Sequence, residues 1–286
     1  MSAQPYRSVL YIPGSNARAL EKAATLECDA IIFDLEDAVA VTEKSNARDQ
    51  LVDVLKTRDY GARARIVRVN ALDTEWGRPD LLALSQALRE GAMIDAVLIP
   101  KVNAPADLDK VGDLLADVPL WAMMETAQGV LNAASIAAHP RVGGFVMGTN
   151  DLAKELGSRD RPDRLPMQAG LGWCVLAAKA NGRIVIDGVY NAFRDEAGLA
   201  GECEQGRDMG FDGKTAIHPA QLEVCNRAFA PSDAEITLAQ RQIAAYDAAQ
   251  QSGQGVAVLD GKIVENLHIV TARRILARAK AIAARN

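Results

Sequence analysis

The stretch FVMGTNDLAKEL (145–156) changes character twice. It opens as an apolar run and breaks at Gly148, Thr149, Asn150 and Asp151. Leucines and a lysine then resume at helical spacing. An apolar run that passes through a glycine and a carboxylate into an amphipathic segment reads as one strand–helix unit. The same form recurs along the chain. Short β-branched or apolar runs occur at SVLYIP (8–13), AIIFDL (30–35), RIVRVN (65–70), AVLIPK (96–101), LWAMME (120–125), GFVMGT (144–149), RIVIDG (183–188) and KTAIHP (214–219). Between them lie helix-length stretches such as EKSNARDQLVDVLKT and RPDLLALSQALREG. Continuously apolar strands separated by helices imply a parallel sheet covered on both faces. Eight such units in about 220–250 residues have the count and length of an α/β (β/α)8 TIM barrel. The rival, a doubly wound open sheet, would declare a glycine-rich fingerprint after its first strand, and YIPGSNARAL has one glycine.

The pattern changes near residue 231. PSDAEITLAQRQIAAYDAAQQ reads as a helix, GQGVAVLDGKIVEN as a hairpin turning at Asp-Gly, and LHIVTARRILARAKAIAAR as a closing helix. The expected organisation is a barrel over 1–230 and a helix-hairpin-helix extension over 231–286 that packs on a neighbouring subunit.

Bulk properties narrow the function. The chain has 286 residues, 49% of them hydrophobic, which is enough for a large core. A net charge of −5 argues against a nucleic-acid partner, which calls for a basic face. No run is long and apolar enough for a membrane span or a secretory leader. Cys28, Cys174, Cys203 and Cys225 form no CxxC pair, and none lies near His139, His218 or His268, so a zinc site is not expected. Such cysteines fit a reducing, cytoplasmic setting.

In a barrel the reacting groups come from the C-terminal ends of the strands. In order those ends supply Gly14-Ser15, Glu36-Asp37, Arg68 and Asn70, Lys101, Glu125, Asp151, Asp187 and His218. All are expected to face one mouth. Glu125 and Asp151 end adjacent strands and repel each other unless a cation or a proton lies between them. With oxygen donors only, Mg²⁺ fits, and Mn²⁺ is the alternative. A glycosidase-type acid/base pair is the competing chemistry, but 5% aromatic residues leave few sugar platforms. The plainest alternative is that each carboxylate caps the helix after it. Arg68, inside an apolar strand, reads either as a buried ion-pair partner of Glu36 or Asp37, or as a clamp on a substrate carboxylate or enolate oxygen; the two acids could orient it. His218 reads first as a hydrogen bonder at the rim. Lys22 and Arg18 read as solvated unless a phosphate recruits them.

At these positions the sequence resembles the HpcH/HpaI aldolase and citrate lyase beta-subunit-like family, which includes malyl-CoA, β-methylmalyl-CoA and citramalyl-CoA lyases. The resemblance runs through SVLYIPG, DAIIFDLEDAV, VRVNALDTEW, LIPKV, METAQGVLNAASIAAHPRV, MGTNDLAKELG, IDGVYNAFRDEAGL, GFDGKTAIHPAQ and LDGKIVEN. It implies a Mg²⁺-dependent barrel, a trimer or a hexamer of trimers, that cleaves a 3-hydroxyacyl-CoA to a 2-oxo acid and an acyl-CoA. By it, Glu125 and Asp151 match the metal carboxylates and Arg68 the substrate arginine. Gly148, Thr149 and Asn150 would line the bound acid. Tyr11, Ile12, Lys22, Ile217 and His218 fall where the CoA portion is contacted. The sequence departs from the family twice. Asn16 stands where a basic residue often meets a CoA phosphate. Glu265 stands where the tail usually supplies an aspartate to a neighbour's site as acid/base. The expected activity is a carbon–carbon lyase in which Glu265 protonates the enolate. The alternatives are a malyl-CoA-type thioesterase, and a citrate lyase beta chain acting on an acyl-carrier-protein thioester.

Overall fold

A computed structural model describes residues 4–115 and 118–285. Eight parallel strands close into a barrel: β1 (Ser8–Pro13), β2 (Ala30–Asp34), β3 (Ala64–Arg68), β4 (Ala96–Ile99), β5 (Leu120–Met124), β6 (Val142–Met147), β7 (Ile184–Asp187) and β8 (Gly213–Ala216). Each pairs with its neighbour in sequence, and β1 also pairs with β8. The helices around them are α1 (Ala17–Ala23), α2 (Lys44–Thr57), α3 (Gly77–Arg89), α4 (Pro105–Gly112), α5 (Ala127–Leu131), α6 (Ala133–Ala138), α7 (Thr149–Leu156), α8 (Gln168–Ala180), α9 (Glu196–Met209) and α10 (Leu222–Phe229). Asn16, whose side chain accepts from the Ala19 N–H at 3.1 Å, caps α1, so the expected departure at this position has a local structural use. Together these elements form one compact unit, Tyr6–Phe229.

The two-residue period of a strand splits its side chains between two cores. Val9, Ala30, Ile32, Ala64, Ile66, Ala96, Leu98, Trp121, Met123, Val146 and Ile186 fill the barrel interior. Leu10, Ile12, Ile31, Phe33, Val67, Val97, Phe145 and Val185 face the helices. Low in the interior, Trp121 packs against Tyr6 with ring centroids 5.3 Å apart. Gly144 makes room for the indole, because a Cβ there would stand 2.9 Å from Trp121 Cε2.

The structure corrects two expectations about the mouth, the first of them through the same period. Ile184 and Ile186 point inward, so Asp187 points out, towards the helices. It is fully buried, and Arg164 Nη1 lies 2.8 Å and 2.9 Å from its two oxygens. Lys214 Nζ is 3.3 Å from Asp187 Oδ2, and donates to Glu202 Oε1 and to the Gly188 carbonyl, each at 2.6 Å. Burial acts to raise the Asp187 carboxyl, but Lys214 and Arg164 outweigh it and hold the group below its ordinary value. Asn70 also leaves the mouth. Its backbone and side-chain nitrogens donate to Asp80 at 3.0 Å and 2.7 Å, and its Oδ1 accepts from buried Lys44 at 2.6 Å.

The remaining unit, from Ala230 onward, contains α11 (Asp233–Gln251), the antiparallel strands β9 (Ala257–Leu259) and β10 (Lys262–Val264), and α12 (Asn266–Ala283). Ser232 and Glu235 exchange hydrogen bonds at the start of α11. Asp260 and Gly261, both at positive φ, make the hairpin turn. Ala249, Ala257, Val264 and Ile269 form a small core of their own. No helix among the described residues is long and apolar enough to cross a membrane.

The buried group around Asp187 gives a stability prediction. Lys214→Met removes the cation shared by Asp187 and Glu202, leaving Arg164 to face both acids. Urea denaturation followed by circular dichroism should show a loss of about 3–5 kcal/mol. A loss under about 1 kcal/mol would mean that Lys214 adds little to this group.

Candidate active site

Carried one step past the interior core, the inward positions of β2, β3 and β5 are Asp34, Arg68 and Glu125. Asp34 and Arg68 are register partners on adjacent strands. Arg68 Nε donates to Asp34 Oδ1 at 2.7 Å and Nη2 donates to Oδ2 at 2.6 Å, a two-pronged pair. The Tyr11 ring lies 5.1 Å from the guanidinium. On its other edge, Nη1 donates to Asp37 at 3.3 Å. Glu36 Oε2 lies 2.8 Å from Nη1 but off its N–H directions, so the contact is one of charge without a directed hydrogen bond. Burial pushes Glu36 up to about 8 even with Arg68 pulling the other way. The sequence-based partners of Arg68, Glu36 and Asp37, are therefore both present, but the principal partner is Asp34. The alternation of AIIFD against the inward Ala30 and Ile32 is the signal that would have found it.

Glu125 is almost wholly buried. Its Oε1 accepts the Lys101 N–H at 2.7 Å, and Lys101 turns to φ 52° to present it. Burial raises Glu125 to about 7; the Lys101 N–H and Arg68 act against this, and the charge of Asp151 adds to it. Asp151 does not end a strand. It sits in the first turn of α7, where the positive end of the helix dipole favours a carboxylate. Gly148, just before α7, is where Glu125 crosses. A Cβ there would come within 2.6 Å of Glu125 Oε2 and closer still to its Cβ. A buried carboxylate, Glu125, whose proton affinity is raised partly by the neighbouring charge of Asp151 makes, with that neighbour, a place for a cation. Among the described residues no group of three or more His, Cys, Asp or Glu side chains has the arrangement of a complete protein-only metal site.

A cavity of about 290 Å³ opens at this mouth. Asp34, Asp37 and Arg68 line one side; Gly148, Thr149, Asn150 and Asp151 line the other, and Met123, Met147, Tyr11 and Ile217 supply apolar wall. A second cleft of about 300 Å³, bounded by Lys101, Glu125, Asp151 and Lys154, shares Asp151 with it. The expected CoA contacts divide. Tyr11 and Ile217 line the cavity. The Ile12 side chain is buried in the outer core, because it has the opposite parity to Tyr11. Lys22 is exposed on α1 and is not among the cavity residues. His218 accepts the Ala220 N–H at 3.1 Å and packs on Phe193, with ring centroids 4.7 Å apart, beside a separate cleft. Glu265, in the other unit, is exposed at the start of α12, and its N–H donates to His268 Nδ1 at 3.0 Å.

Comparison with known proteins fits this geometry. Residues 7–219 match the family model of the HpcH/HpaI aldolase/citrate lyase, and the chain belongs to that family. It is 70% identical over 282 residues to a (3S)-malyl-CoA thioesterase of Cereibacter sphaeroides, covering 99% of this chain and 97% of the relative. It is 35% identical over 286 residues to the citrate lyase subunit beta of Escherichia coli, covering 96% and 93%. A Mycobacterium tuberculosis CitE structure with magnesium, acetoacetate and coenzyme A superposes with a TM-score of 0.81 at 31% identity, covering 98% of this chain and all of that one.

The tight crossing at Gly148 is testable by itself. Gly148→Ala forces Glu125 aside and should cost about 1–3 kcal/mol, seen as a lower denaturation midpoint. An unchanged midpoint would mean that Glu125 has room to move.

Proposed function

We propose that this protein is a Mg²⁺-dependent thioesterase that hydrolyses (3S)-malyl-CoA to malate and free CoA. The observation that carries the reading is the Glu125–Asp151 pair facing the same mouth as Arg68, in a chain 70% identical to proteins named for that activity. The sequence alone favoured carbon–carbon cleavage. The near-full-length relatives move the proposal to the thioester bond of the same class of substrate.

Glu125 and Asp151 would hold the metal. The donor set fits, since Mg²⁺ accepts two carboxylates and completes its shell with water and substrate oxygens. When bound, the ion supplies Lewis acidity to the substrate's carboxylate and hydroxyl. Gly148, Thr149 and Asn150 border the malyl group. Arg68 is held on two of its nitrogens, and its Nη1 edge stabilises the oxygen that gains charge as water adds to the thioester carbonyl. The C–S bond then breaks and the CoA sulfur takes a proton. Tyr11 and Ile217 flank the acyl–CoA junction, with Lys22 and His218 assigned to the CoA portion on family resemblance and Ile12, its side chain buried in the outer core, contributing only main-chain atoms there. The four cysteines, all buried and free, support a cytoplasmic setting.

The active form we propose is a homotrimer or hexamer in which the extension, 231–286, packs on a neighbour and delivers Glu265 as acid/base. Around Glu265 in the extension, Val258, Ile263, Leu267 and Val270 are each at least 60% exposed, which is surface that a neighbour would cover.

Product analysis tests the chemistry. Incubated with Mg²⁺ and (3S)-malyl-CoA, the protein should release malate and free CoA in equal amounts. Glyoxylate with acetyl-CoA would restore the lyase reading and remove this one.

Subunit complementation tests Glu265. Glu265→Gln and Asp151→Asn homo-oligomers should each be inactive, and co-refolded mixtures should regain part of the activity. No recovery in oligomers shown to be mixed would place Glu265 in its own subunit's chemistry or in none.

A further inference from the structure

Two carboxylates that hydrogen-bond to Arg68 are held in opposite ways. Asp34 is fully buried, and besides its two-pronged bond to Nε and Nη2 it accepts the Glu36 N–H at 2.9 Å and the Ala38 N–H at 3.0 Å. Both of its oxygens are committed. Removing it would strand two backbone donors along with the guanidinium, so it stays. Asp37 is different. Its side chain is 65% exposed, it lines the cavity, and its bond to Nη1 is 3.3 Å long. Glu36 also touches Nη1 but is 8% exposed and is not among the cavity residues.

Arg68 therefore presents two edges. The Nε/Nη2 edge is fixed to β2. The Nη1 edge faces the cavity and is covered by a carboxylate that water already reaches. An anionic substrate oxygen arriving at Nη1 meets a competitor of its own charge and geometry. We propose that Asp34 is the positioning residue that aims Arg68, and that Asp37 is a displaceable placeholder on the Nη1 edge that swings out when an anionic substrate group arrives. This rests on Arg68 being the substrate clamp proposed above.

The two carboxylates then have opposite signs in a binding experiment. Asp34→Asn loosens the guanidinium, and a misplaced clamp should weaken binding by about tenfold or more. Asp37→Asn removes a solvent-exposed competitor, and binding should tighten by about two- to fivefold. Calorimetric titration of the Mg²⁺-loaded protein with L-malate reads both without turnover. In an Arg68→Lys background both effects should vanish, because each acts through the fork of the guanidinium. A purely structural Asp34 would instead add its full loss on top of Arg68→Lys, and that result overturns the assignment. Weaker or unchanged malate binding in Asp37→Asn, at an exposed position where the fold is safe, overturns the placeholder role.

A second measurement separates this proposal from the proposed function. Nitrogen-15 NMR of the Arg68 Nε–H, assigned by its loss in Arg68→Lys, should give a slowly exchanging signal in the parent and in Asp37→Asn, and lose it in Asp34→Asn. If the parent neither binds malate nor turns over malyl-CoA, the functional reading fails. The division between Asp34 and Asp37 is then decided by this signal, and its loss in Asp37→Asn as well would refute it.

Discussion

A strand in a closed barrel offers each side chain two destinations, and neighbouring residues must take opposite ones. Most of this molecule follows from that constraint. It sends Val9, Ile32 and Met123 inward and Leu10, Phe33 and Val97 outward. It continues past the apolar layers to Asp34, Arg68 and Glu125, so that one mouth collects charges that no single segment of the chain could gather. It also removes Asp187 from that mouth and buries it among Arg164, Lys214 and Glu202 on the far side of the sheet. The two clusters are both rich in charge, and the inward one lines a cavity.

At the mouth the electrostatic balance is tilted. Asp34, Glu36, Asp37, Glu125 and Asp151 gather around Arg68 and Lys101, so negative charge is in excess. A low-dielectric site cannot carry such an excess without relief. Part of it comes from protons, since Glu36 and Glu125 are lifted to about 8 and about 7. A divalent cation between Glu125 and Asp151 would provide the rest and release the proton on Glu125. The glycine at 148 belongs to the same balance, because it lets Glu125 lie flat against the backbone that leads into α7.

The fold was legible because strands buried on both faces read as unbroken apolar runs, and the observed strand bounds lie within three residues of those runs. The same property hid the site's details. An unbroken apolar run does not display its own parity, so Asp34 passed as part of the strand and Asp187 passed as part of the mouth. Arg164 was harder still. It lies in GSRDRPDRLP (157–166), a polar, proline-containing insertion after the sixth strand, yet its guanidinium is buried by a partner 23 residues along the chain. The carboxylates at 125 and 151 stood out because polar groups at the ends of apolar runs are conspicuous in any parity. Glu265 was visible only through family resemblance, since nothing near it in sequence marks it as more than the start of a helix.

The indole of Trp121, wedged low in the barrel against Tyr6, has a kinetic consequence. With Tyr6 and Trp121 filling that end of the interior, the cavity opens at the other. On the proposed reaction both products leave through the opening by which the substrate entered. In that reaction the acid fragment would lie deeper, against Arg68 and the carboxylate pair, and the bulky thiol nearer the outside. Release would then be ordered by geometry, with CoA first and the acid second. The acid would also be the product able to re-enter an emptied site and slow the next turnover.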